Sequence, residues 1–382
     1  MTQADRGLMR VVHIIKVTRV SGAEGHLLVL LAGLRNRGID ARLIILVEPD
    51  KPMEDMVATA ADRGIPTSSL IIRRDYDLPL LFKLRNALRE MQPDIVHTHL
   101  IHADVFGYFA AKAVGTRIII SSRHNDDQFR YRPRWRRINR WLWRRIDAGI
   151  AISYAIKQFT VDIEGAPTDK VKIVHYGMDY SWMSDAEIDA ARLKLRAELN
   201  LDDDALLLGL VCRLVEQKGI PYAMEALRRL RAEFPGAHLV IAGDGEKAAE
   251  LRRLASALGI ADRVHWLGWR PKAIDLMAAF DVLLVPSLWE GFGLVLLEAM
   301  SRRVPVIASR VSAIPEVVRD GETGILFEPR NVDALTGAIV RLLSDRSLRK
   351  YMGLLGAARL EEHFSVQRMV DKTIAVYDQV LR

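Results

Sequence analysis

The sequence predicts an α/β protein made of two doubly wound domains, each built on a parallel sheet. Short apolar runs alternate with amphipathic helical stretches along most of the chain, which is typical of βαβ units. The alternation pauses once, in a polar and acidic stretch at residues 178–204, and then restarts. The length of 382 residues also corresponds to about two domains, at roughly 100–200 residues each. We therefore expect one domain at residues 1–178 and a second at residues 179–365.

Six strands are predicted in the first domain, because six short apolar runs are each flanked by a helical pattern. These strands are 11–17, 41–47, 94–98, 117–122, 148–153 and 171–176. The helix after the first strand passes through Leu27, Leu30, Leu31 and Leu34, whose spacing places them on one face.

The second domain begins with a predicted helix at 185–199, followed by the acidic run from Asp202 to Asp204. Six more strands are predicted, at 206–212, 238–242, 264–267, 282–286, 304–308 and 325–327. A last helical pattern, 366–381, extends beyond them and must pack against another element. Open parallel sheets bind ligands outside the carboxyl ends of their strands, so the loops at those ends should hold the chemistry.

The composition excludes several classes of protein. Cys212 is the single cysteine, so a secreted scaffold held by internal disulfides is excluded. No apolar run approaches the roughly 20 residues that span a bilayer, and residues 1–10 lack the apolar middle of a signal peptide. We therefore expect a cytoplasmic protein. Its formal charge of +7 favours acidic partners such as phosphates, anionic lipid or nucleic acid.

The loop after the fourth strand of the second domain combines two carboxylates with a glycine turn. Glu290 lies in the loop, and Glu298 lies inside the helix that follows. Between them, Gly291, Phe292 and Gly293 let the backbone approach a ligand, and the helix start offers N–H groups to an anion. Carboxylates accept from hydroxyls and phosphates need donors, so a sugar nucleotide would fit this loop. A plain glycine turn with two solvated glutamates is the alternative.

This stretch, P-S-L-W-E-G-F-G-L-V-L-L-E-A-M, resembles the donor-site motif of the family-4 retaining glycosyltransferases. Further similarities to that family are found at residues 213–219, 243–246, 267–268, 315–318 and 321–327. The resemblance implies the GT-B fold, in which two Rossmann-like domains face a central cleft that holds the active site. It also implies that the final helix, within residues 366–382, packs back on the first domain.

The resemblance implies a role for each matching residue of the second domain. Arg213 and Lys218 bind the donor diphosphate and stabilise the leaving nucleotide, which agrees with the negative charge that develops on the β-phosphate. Glu298 binds the ribose hydroxyls, and Glu290 contacts the transferred sugar. The backbone from Gly291 to Leu294 offers donors to phosphates or sugar. Two cations at the phosphate imply that no metal is needed, whereas a pair of surface cations is the alternative for Arg213 and Lys218.

In the first domain the resemblance implies two further site residues. Gly22 approaches the donor phosphate, although this chain has Ser21 where the family usually has a second, adjacent glycine. His124, after the strand 117–122, lies close to the transferring sugar and could bond a hydroxyl. The alternatives are a structural glycine turn and an ordinary loop histidine.

Two other patterns could be mistaken for metal sites. His97, His99 and His102 are close in sequence, but no carboxylate is spaced to complete a ligand set, so we expect no metal there. There are two Asp-x-Asp strings, one from Asp75 to Asp77 and one from Asp202 to Asp204, and we interpret both as solvated turns.

The segment between Arg123 and Arg145 is basic and aromatic, with only Asp126 and Asp127 opposing its charge. Its arginines are 123, 130, 132, 134, 136, 137, 140, 144 and 145, and its aromatic residues are Phe129, Tyr131, Trp135, Trp141 and Trp143. At helical spacing, one apolar stripe and one opposite basic face form, with Trp141 and Trp143 flanking the stripe. The stripe is Trp135, Ile138, Leu142 and Ile146, and the basic face is Arg136, Arg137, Arg140 and Arg144.

This composition favours two interpretations, an interfacial helix on an anionic membrane or a core-facing helix with a solvated basic face. No nucleic-acid reader motif accompanies the segment, so nucleic acid is not expected as a partner.

We therefore expect a retaining, metal-independent glycosyltransferase that uses a nucleotide diphosphate sugar as donor and needs no cofactor. The resemblance implies a lipid-linked or cell-surface glycan acceptor, with peripheral docking on the inner face of the membrane as a further hypothesis. One alternative is a GT-B protein that has lost turnover and docks to a membrane or partner through its basic helix. A dinucleotide oxidoreductase is disfavoured because no G-x-G-x-x-G follows a strand.

Overall fold

The computed structural model describes residues 9–18, 22–73, 77–126 and 128–382. It divides the chain into two compact units, unit 1 (Met1–Asp179 and Ser365–Arg382) and unit 2 (Tyr180–Phe364). Each unit is built on its own parallel sheet. The predicted α/β class with two Rossmann-like sheets is therefore confirmed.

In the described part of unit 1, seven strands pair in parallel in the order β3-β2-β1-β4-β5-β6-β7. They are β1 (Arg10–Val17), β2 (Asp40–Val47), β3 (Thr67–Ile71), β4 (Ile95–His99), β5 (Ile118–Arg123), β6 (Ala148–Ala151) and β7 (Val171–Ile173). Six of them were predicted, and β3 at the sheet edge was not.

Helices connect these strands, as parallel pairing requires. They are α1 (Gly22–Asn36), α2 (Glu54–Asp62), α3 (Leu78–Met91), α4 (Leu100–Ala113), α5 (Pro133–Trp143) and α6 (Tyr154–Asp162). The predicted stripe of α1 is buried throughout, with Leu27, Leu31 and Leu34 at 0% exposure. Asp77 caps α3 by accepting from the N–H of Leu80 at 3.0 Å. The other two residues of that Asp-x-Asp string, Asp75 and Tyr76, lie outside the described residues.

Unit 2 contains a six-stranded sheet within the described residues, in the order β10-β9-β8-β11-β12-β13. Its strands are β8 (Leu206–Val211), β9 (Ala237–Ala242), β10 (Val264–Gly268), β11 (Val282–Val285), β12 (Val306–Ser309) and β13 (Gly324–Phe327). All six were predicted to within two residues at each end. Asp202, Asp203 and Asp204 lie exposed before β8.

The helices of unit 2 include the predicted linker helix, which ends one residue earlier than expected. They are α7 (Asp185–Glu198), α8 (Ile220–Arg229), α9 (Ala248–Ala257), α10 (Ala273–Met277), α11 (Leu294–Ser301), α12 (Ile314–Val317), α13 (Val332–Ser344) and α14 (Arg346–His363). A capping box at Ser184 and Glu187 fixes the start of α7.

The last helix, α15 (Val366–Leu381), belongs to unit 1. Its apolar face, including Met369, Val370 and Tyr377, packs into the same core as the strand residue Val11 and the α1 residue Leu27. The chain returns to this unit at Ser365, which forms a bridge with Met178.

Helix α5 follows the predicted pattern on one face and departs from it on the other. Arg136, Arg137, Arg140 and Arg144 are exposed as expected. Trp143 does not flank the stripe as predicted, because it is fully buried and its Nε1 donates to Glu164 Oε2 at 2.8 Å.

Two arginines of this segment also have acidic partners from outside it. Arg123 Nη1 lies 2.7 Å from Asp104 Oδ2, and its Nε lies 2.8 Å from Glu164 Oε2. Arg130 pairs with the same glutamate, and both arginines are 1% exposed. Burial raises the pKa of the Glu164 carboxyl, but Arg123 and Arg130 outweigh it and hold that pKa below its usual range. These two arginines cannot contribute to a surface. Asp127 lies outside the described residues.

Among the described residues, no helix has the length and apolar character needed to cross a bilayer.

Candidate functional site

The loops after β8 and β11 meet at the carboxyl edge of the unit 2 sheet. Gln217 accepts from Leu288 N at 2.8 Å through its carbonyl, and its Nε2 donates to Trp289 O at 2.9 Å. Gly219, at φ 59°, lies so close that a Cβ there would be 2.0 Å from Pro286 O. Glycine is therefore required for this approach, which holds the Lys218 loop against the Glu290 loop.

Lys218 and Glu290 form an ion pair between these two loops. The distance from Lys218 Nζ to Glu290 Oε2 is 2.5 Å, and the side chains are 16% and 12% exposed. An ammonium group has three donors, so Lys218 can keep this partner and still bond an anionic ligand.

Arg213 follows β8 and is exposed. Burial raises the pKa of the neighbouring Cys212 thiol to about 11, and the charges of Lys218, Glu290 and Arg213 all act on that thiol. Three of the four charged residues that were selected from the sequence in unit 2 therefore lie in one neighbourhood, as two cations and one anion.

Glu298 lies on α11, eight residues after Glu290. Burial raises the pKa of its carboxyl to about 7, although the guanidinium of Arg302 acts in the opposite direction. In the part of the chain that the structure describes, no hydrogen bond or ion pair engages this carboxylate. A desolvated carboxylate without a partner is the kind of group that accepts hydrogen bonds from ligand hydroxyls.

The glycine turn between the glutamates starts α11. Gly293 precedes the helix with φ 84° in the left-handed region, and the first N–H groups of α11, beginning at Leu294, have no partner within the helix. The Phe292 side chain, which is 2% exposed, packs on Phe364 with ring centroids 5.9 Å apart. The packing of Phe292 on Phe364 therefore holds the Gly291–Leu294 backbone in place.

The serines at this edge of the sheet were not predicted from the sequence. Ser312, in the loop after β12, accepts from Glu290 N at 3.3 Å. The hydroxyls of Ser287 and Ser309 are buried, and neither has a hydrogen-bond partner among the described residues. No local sequence signal marks Ser309 or Ser312, because their position depends on how β11 and β12 pair.

In unit 1, Gly22 is the first residue of α1 and is exposed. Its predicted neighbour Ser21 lies outside the described residues. Glu24 and His26, on the same helix turn, are buried at 7% and 8% exposure, and the His26 ring packs on Tyr176 with centroids 3.8 Å apart.

His124 follows β5, as predicted, and both of its ring nitrogens are engaged. Its Nε2 lies 2.9 Å from His99 Nδ1, and its Nδ1 lies 2.7 Å from the Tyr176 hydroxyl. Burial, reinforced by the charges of Arg123 and Arg130, lowers the pKa of His124 to about 3, so the ring is neutral. A bond to a sugar hydroxyl would require one of these partners to exchange, and the role of His124 stays a prediction.

Three buried histidines, His13, His97 and His99, have ring nitrogens within 4.8 Å of one another, close enough for a metal ion. Each ring nitrogen already bonds another side chain at 2.8–3.2 Å. His13 was not selected from the sequence, and His102 lies apart from the cluster on α4. The expectation of no metal stays a prediction.

An apolar groove of 670 Å³ lies between α3, α4 and α5 of unit 1. It is lined mainly by aliphatic and aromatic side chains, among them Leu81, Phe109 and Trp141, and Arg134 and Arg137 line it as well. Leu78, which also lines the groove, is 70% exposed.

Two family models match the chain. The model described as Glycosyltransferase Family 4 matches residues 20–182, and the model described as Glycosyl transferases group 1 matches residues 191–357. Together they cover most of both units.

Characterised relatives include two bacterial enzymes. The UDP-Gal:alpha-D-GlcNAc-diphosphoundecaprenol alpha-1,3-galactosyltransferase of Escherichia coli is 26% identical over 97% of this chain and 96% of its own. The N-acetyl-alpha-D-glucosaminyl L-malate synthase of Bacillus anthracis is 28% identical over 80% of each chain. An uncharacterised glycosyltransferase of Methanocaldococcus jannaschii is 32% identical over 60% of this chain, a match that spans 59% of that protein.

The solved structure of the Anabaena protein HepE with UDP and glucose is 22% identical and superposes with a TM-score of 0.84 over 97% of this chain and 100% of its own. At that identity it supports the fold alone. The family matches favour an active transferase over the alternative of a docking protein that has lost turnover.

Proposed function

Because the chain belongs to the family-4, group 1 glycosyltransferases and has the GT-B fold, we propose that it transfers a sugar from a nucleoside diphosphate donor with retention of configuration. The observation that carries the proposal is the group at the carboxyl edge of unit 2. There the Lys218–Glu290 pair lies on two loops that also hold Arg213 and the start of α11.

The cations of this group suit the donor diphosphate. Arg213 offers a planar fork of donors to two phosphate oxygens, and Lys218 offers a point charge. When the glycosyl bond breaks, negative charge grows on the β-phosphate, and cations placed beforehand stabilise that charge most in the transition state. The N–H groups at the start of α11 act in the same direction.

The carboxylates suit the hydroxyl groups of the donor. Glu298, with no partner among the described residues and a raised pKa, would accept from the ribose hydroxyls. Glu290, held by Lys218, would accept from a hydroxyl of the transferred sugar.

We propose front-face transfer. The acceptor hydroxyl approaches on the side from which the nucleotide leaves, and the departing phosphate takes the acceptor proton. The sugar then keeps its configuration without a covalent enzyme intermediate.

We also propose that the reaction needs no metal ion and no cofactor, because Arg213 and Lys218 supply the positive charge that a metal supplies elsewhere. Activity that withstands EDTA would support this proposal. Activity that is lost with EDTA and restored by magnesium or manganese would refute it.

The acceptor that we propose is lipid-linked. Two observations support this: the Escherichia coli relative is named for a diphosphoundecaprenol-linked acceptor, and unit 1 carries an apolar groove next to the basic face of α5. An apolar groove beside arginines complements a lipid that has an anionic head, and it would keep the enzyme peripheral on an anionic membrane.

The test is a nucleotide panel followed by product analysis. A ligand at about 100 times its dissociation constant adds roughly 2.7 kcal/mol to stability, so UDP, GDP and ADP can be ranked by thermal shift. The sugar of the best nucleotide is then transferred, and the anomeric configuration of the product is determined by NMR. Inversion would refute the mechanism, and the absence of a shift with any nucleotide or nucleotide sugar would refute the donor class.

A further inference from the structure

A continuous chain of hydrogen bonds runs through the interior of unit 1 and includes the predicted site residue His124. All seven side chains in it are at most 7% exposed. The contacts are Ser122 Oγ to His97 Nε2 (2.8 Å), His97 Nδ1 to the Tyr377 hydroxyl (2.8 Å), the Tyr377 hydroxyl to His13 Nε2 (3.2 Å), His13 Nδ1 to His99 Nε2 (2.9 Å), His99 Nδ1 to His124 Nε2 (2.9 Å) and His124 Nδ1 to the Tyr176 hydroxyl (2.7 Å).

The sheet and α15 assemble this chain from distant parts of the sequence. His97 and His99 lie two residues apart on β4 and therefore face the same side of the sheet, and His13 lies opposite His97 on β1. Tyr377 comes from α15, 280 residues after His97. His124 and Tyr176 lie in loops at the carboxyl ends of β5 and β7.

Each link of the chain needs one donor and one acceptor. A neutral imidazole has one N–H and one bare nitrogen. Burial lowers the pKa of His13, His97 and His99 well below the usual value, so these rings are neutral, as His124 is. Where two ring nitrogens lie 2.9 Å apart, one carries hydrogen and the other does not.

The Tyr377 hydroxyl couples the tautomer of His97 to that of His13. Its hydroxyl has one hydrogen, and no third polar group of the described residues bonds it. If it accepted from both His97 and His13, its own buried hydrogen would lack an acceptor, at a cost of about 1–3 kcal/mol. The chain therefore has two complete arrangements: either all four histidines carry hydrogen on Nδ1, or all four carry it on Nε2.

We propose that this chain of hydrogen bonds sets the tautomer of His124, and that Tyr377 is a positioning residue for the transfer site. The arrangement decides whether His124 Nδ1, the nitrogen that faces Tyr176, offers a donor or an acceptor. The consequence for sugar transfer rests on the proposed function, whereas the shared tautomer does not.

The first test is a spectrum of the whole wild-type protein with ¹⁵N-labelled histidine. Long-range ¹H–¹⁵N correlations distinguish Nδ1–H from Nε2–H rings, and single substitutions assign the signals. We expect His13, His97, His99 and His124 to share one tautomer at neutral pH. Two different tautomers among the four, or a cationic ring, would overturn the proposal.

The second test separates Tyr377 from the other links. Tyr377→Phe keeps the ring and removes the hydroxyl, so we expect His97 to lose its coupling to the other three rings. We also expect kcat to fall by up to about 10-fold, which corresponds to the loss of one buried hydrogen bond. The matched control is Thr373→Val, which removes another buried hydroxyl of α15 and should change neither.

If Tyr377→Phe retains wild-type tautomers and kcat, Tyr377 is not a positioning residue. If Tyr377→Phe does not fold, Ser122→Ala opens the chain at its other end, and unchanged tautomers and kcat in that variant would likewise overturn the proposal. A shared tautomer in a protein that transfers no sugar would refute the proposed function and leave the chain intact.

Discussion

Replacing Glu298 with glutamine should stabilise unit 2 most strongly above neutral pH. The substitution keeps the size of the side chain and removes a carboxylate that burial makes unfavourable when ionised. Because no described residue pairs with this carboxylate, its removal breaks no ion pair.

The magnitude follows from the pKa of Glu298, which burial raises from 4.5 to about 7. The native state therefore binds the proton more tightly than the unfolded state, so the wild-type protein loses stability as pH rises from 4.5 through 7 and loses no more above 7. At about 1.4 kcal/mol per pH unit, the full loss is about 3 kcal/mol at pH 8, and only about 1.4 kcal/mol of it is present at pH 5.5.

Thermal unfolding at these two pH values measures the effect. A change of 1 kcal/mol moves the Tm of a domain of this size by about 2–4 °C, so Glu298→Gln should gain about 6 °C or more at pH 8 and about 3 °C at pH 5.5. The control is Glu233→Gln, an exposed glutamate of the same unit, which should shift neither value.

Equal gains at the two pH values would refute the assignment of a desolvated, unpaired carboxylate. If Glu298 also binds ribose, the stabilised variant should bind the nucleotide more weakly, because an amide is a poorer acceptor than a carboxylate. Stability gained together with binding lost is a trade-off that is expected at a ligand site.

Three further predictions concern the other charged groups. Lys218→Ala should lower kcat about 10²- to 10³-fold, because it removes one contact to a developing anion. Steady-state kinetics would check this, with the exposed Lys194→Ala as control, and wild-type turnover in Lys218→Ala would contradict the diphosphate role. Changing Arg136, Arg137, Arg140 and Arg144 to glutamine should weaken binding to anionic vesicles by about 1 kcal/mol per charge, as measured in a sedimentation assay. Nucleotide affinity and Tm should not change. Undiminished vesicle binding would mean that this face is only solvated. Glu164→Gln should destabilise unit 1 by about 3–5 kcal/mol in urea unfolding, because it removes the buried carboxylate that Arg123 and Arg130 share. A loss below about 1 kcal/mol would show that the two arginines do not depend on this carboxylate.

The strands that sequence analysis predicted are those with an unbroken apolar run. Strand β3 lacks one, because its first three residues are Thr67, Ser68 and Ser69 and its residues are half-buried to exposed. An edge strand needs to bury little, and β3 is held by its backbone pairing with β2. Apolar periodicity reports burial, so it misses a strand that pairing alone defines.

The same limit explains which site residues were predicted. The loop of Glu290 and Gly293 was recognised because the glycine turn and both carboxylates are local in sequence. The partners of His97, Arg130 and Glu290, namely Tyr377, Glu164 and Ser312, lie 22–280 residues away, and only the folded topology brings them together. The position of Trp143 was predicted wrongly for the same reason. Its indole N–H donates to Glu164, which lies 21 residues later in the chain, just after α6.

The polar groups of the candidate site in unit 2 differ in whether the protein itself satisfies them. Lys218 and Glu290 satisfy each other, whereas Glu298 and the hydroxyls of Ser287 and Ser309 have no partner among the described residues. A buried hydroxyl without a partner costs about 1–3 kcal/mol, and Glu298 carries a desolvation cost when it is ionised, so these three groups together destabilise unit 2. A ligand that supplies their missing partners recovers that cost in addition to its own contacts. For this reason, the thermal shift caused by the true nucleotide should shrink in Glu298→Gln, because the variant has already relieved part of the same cost.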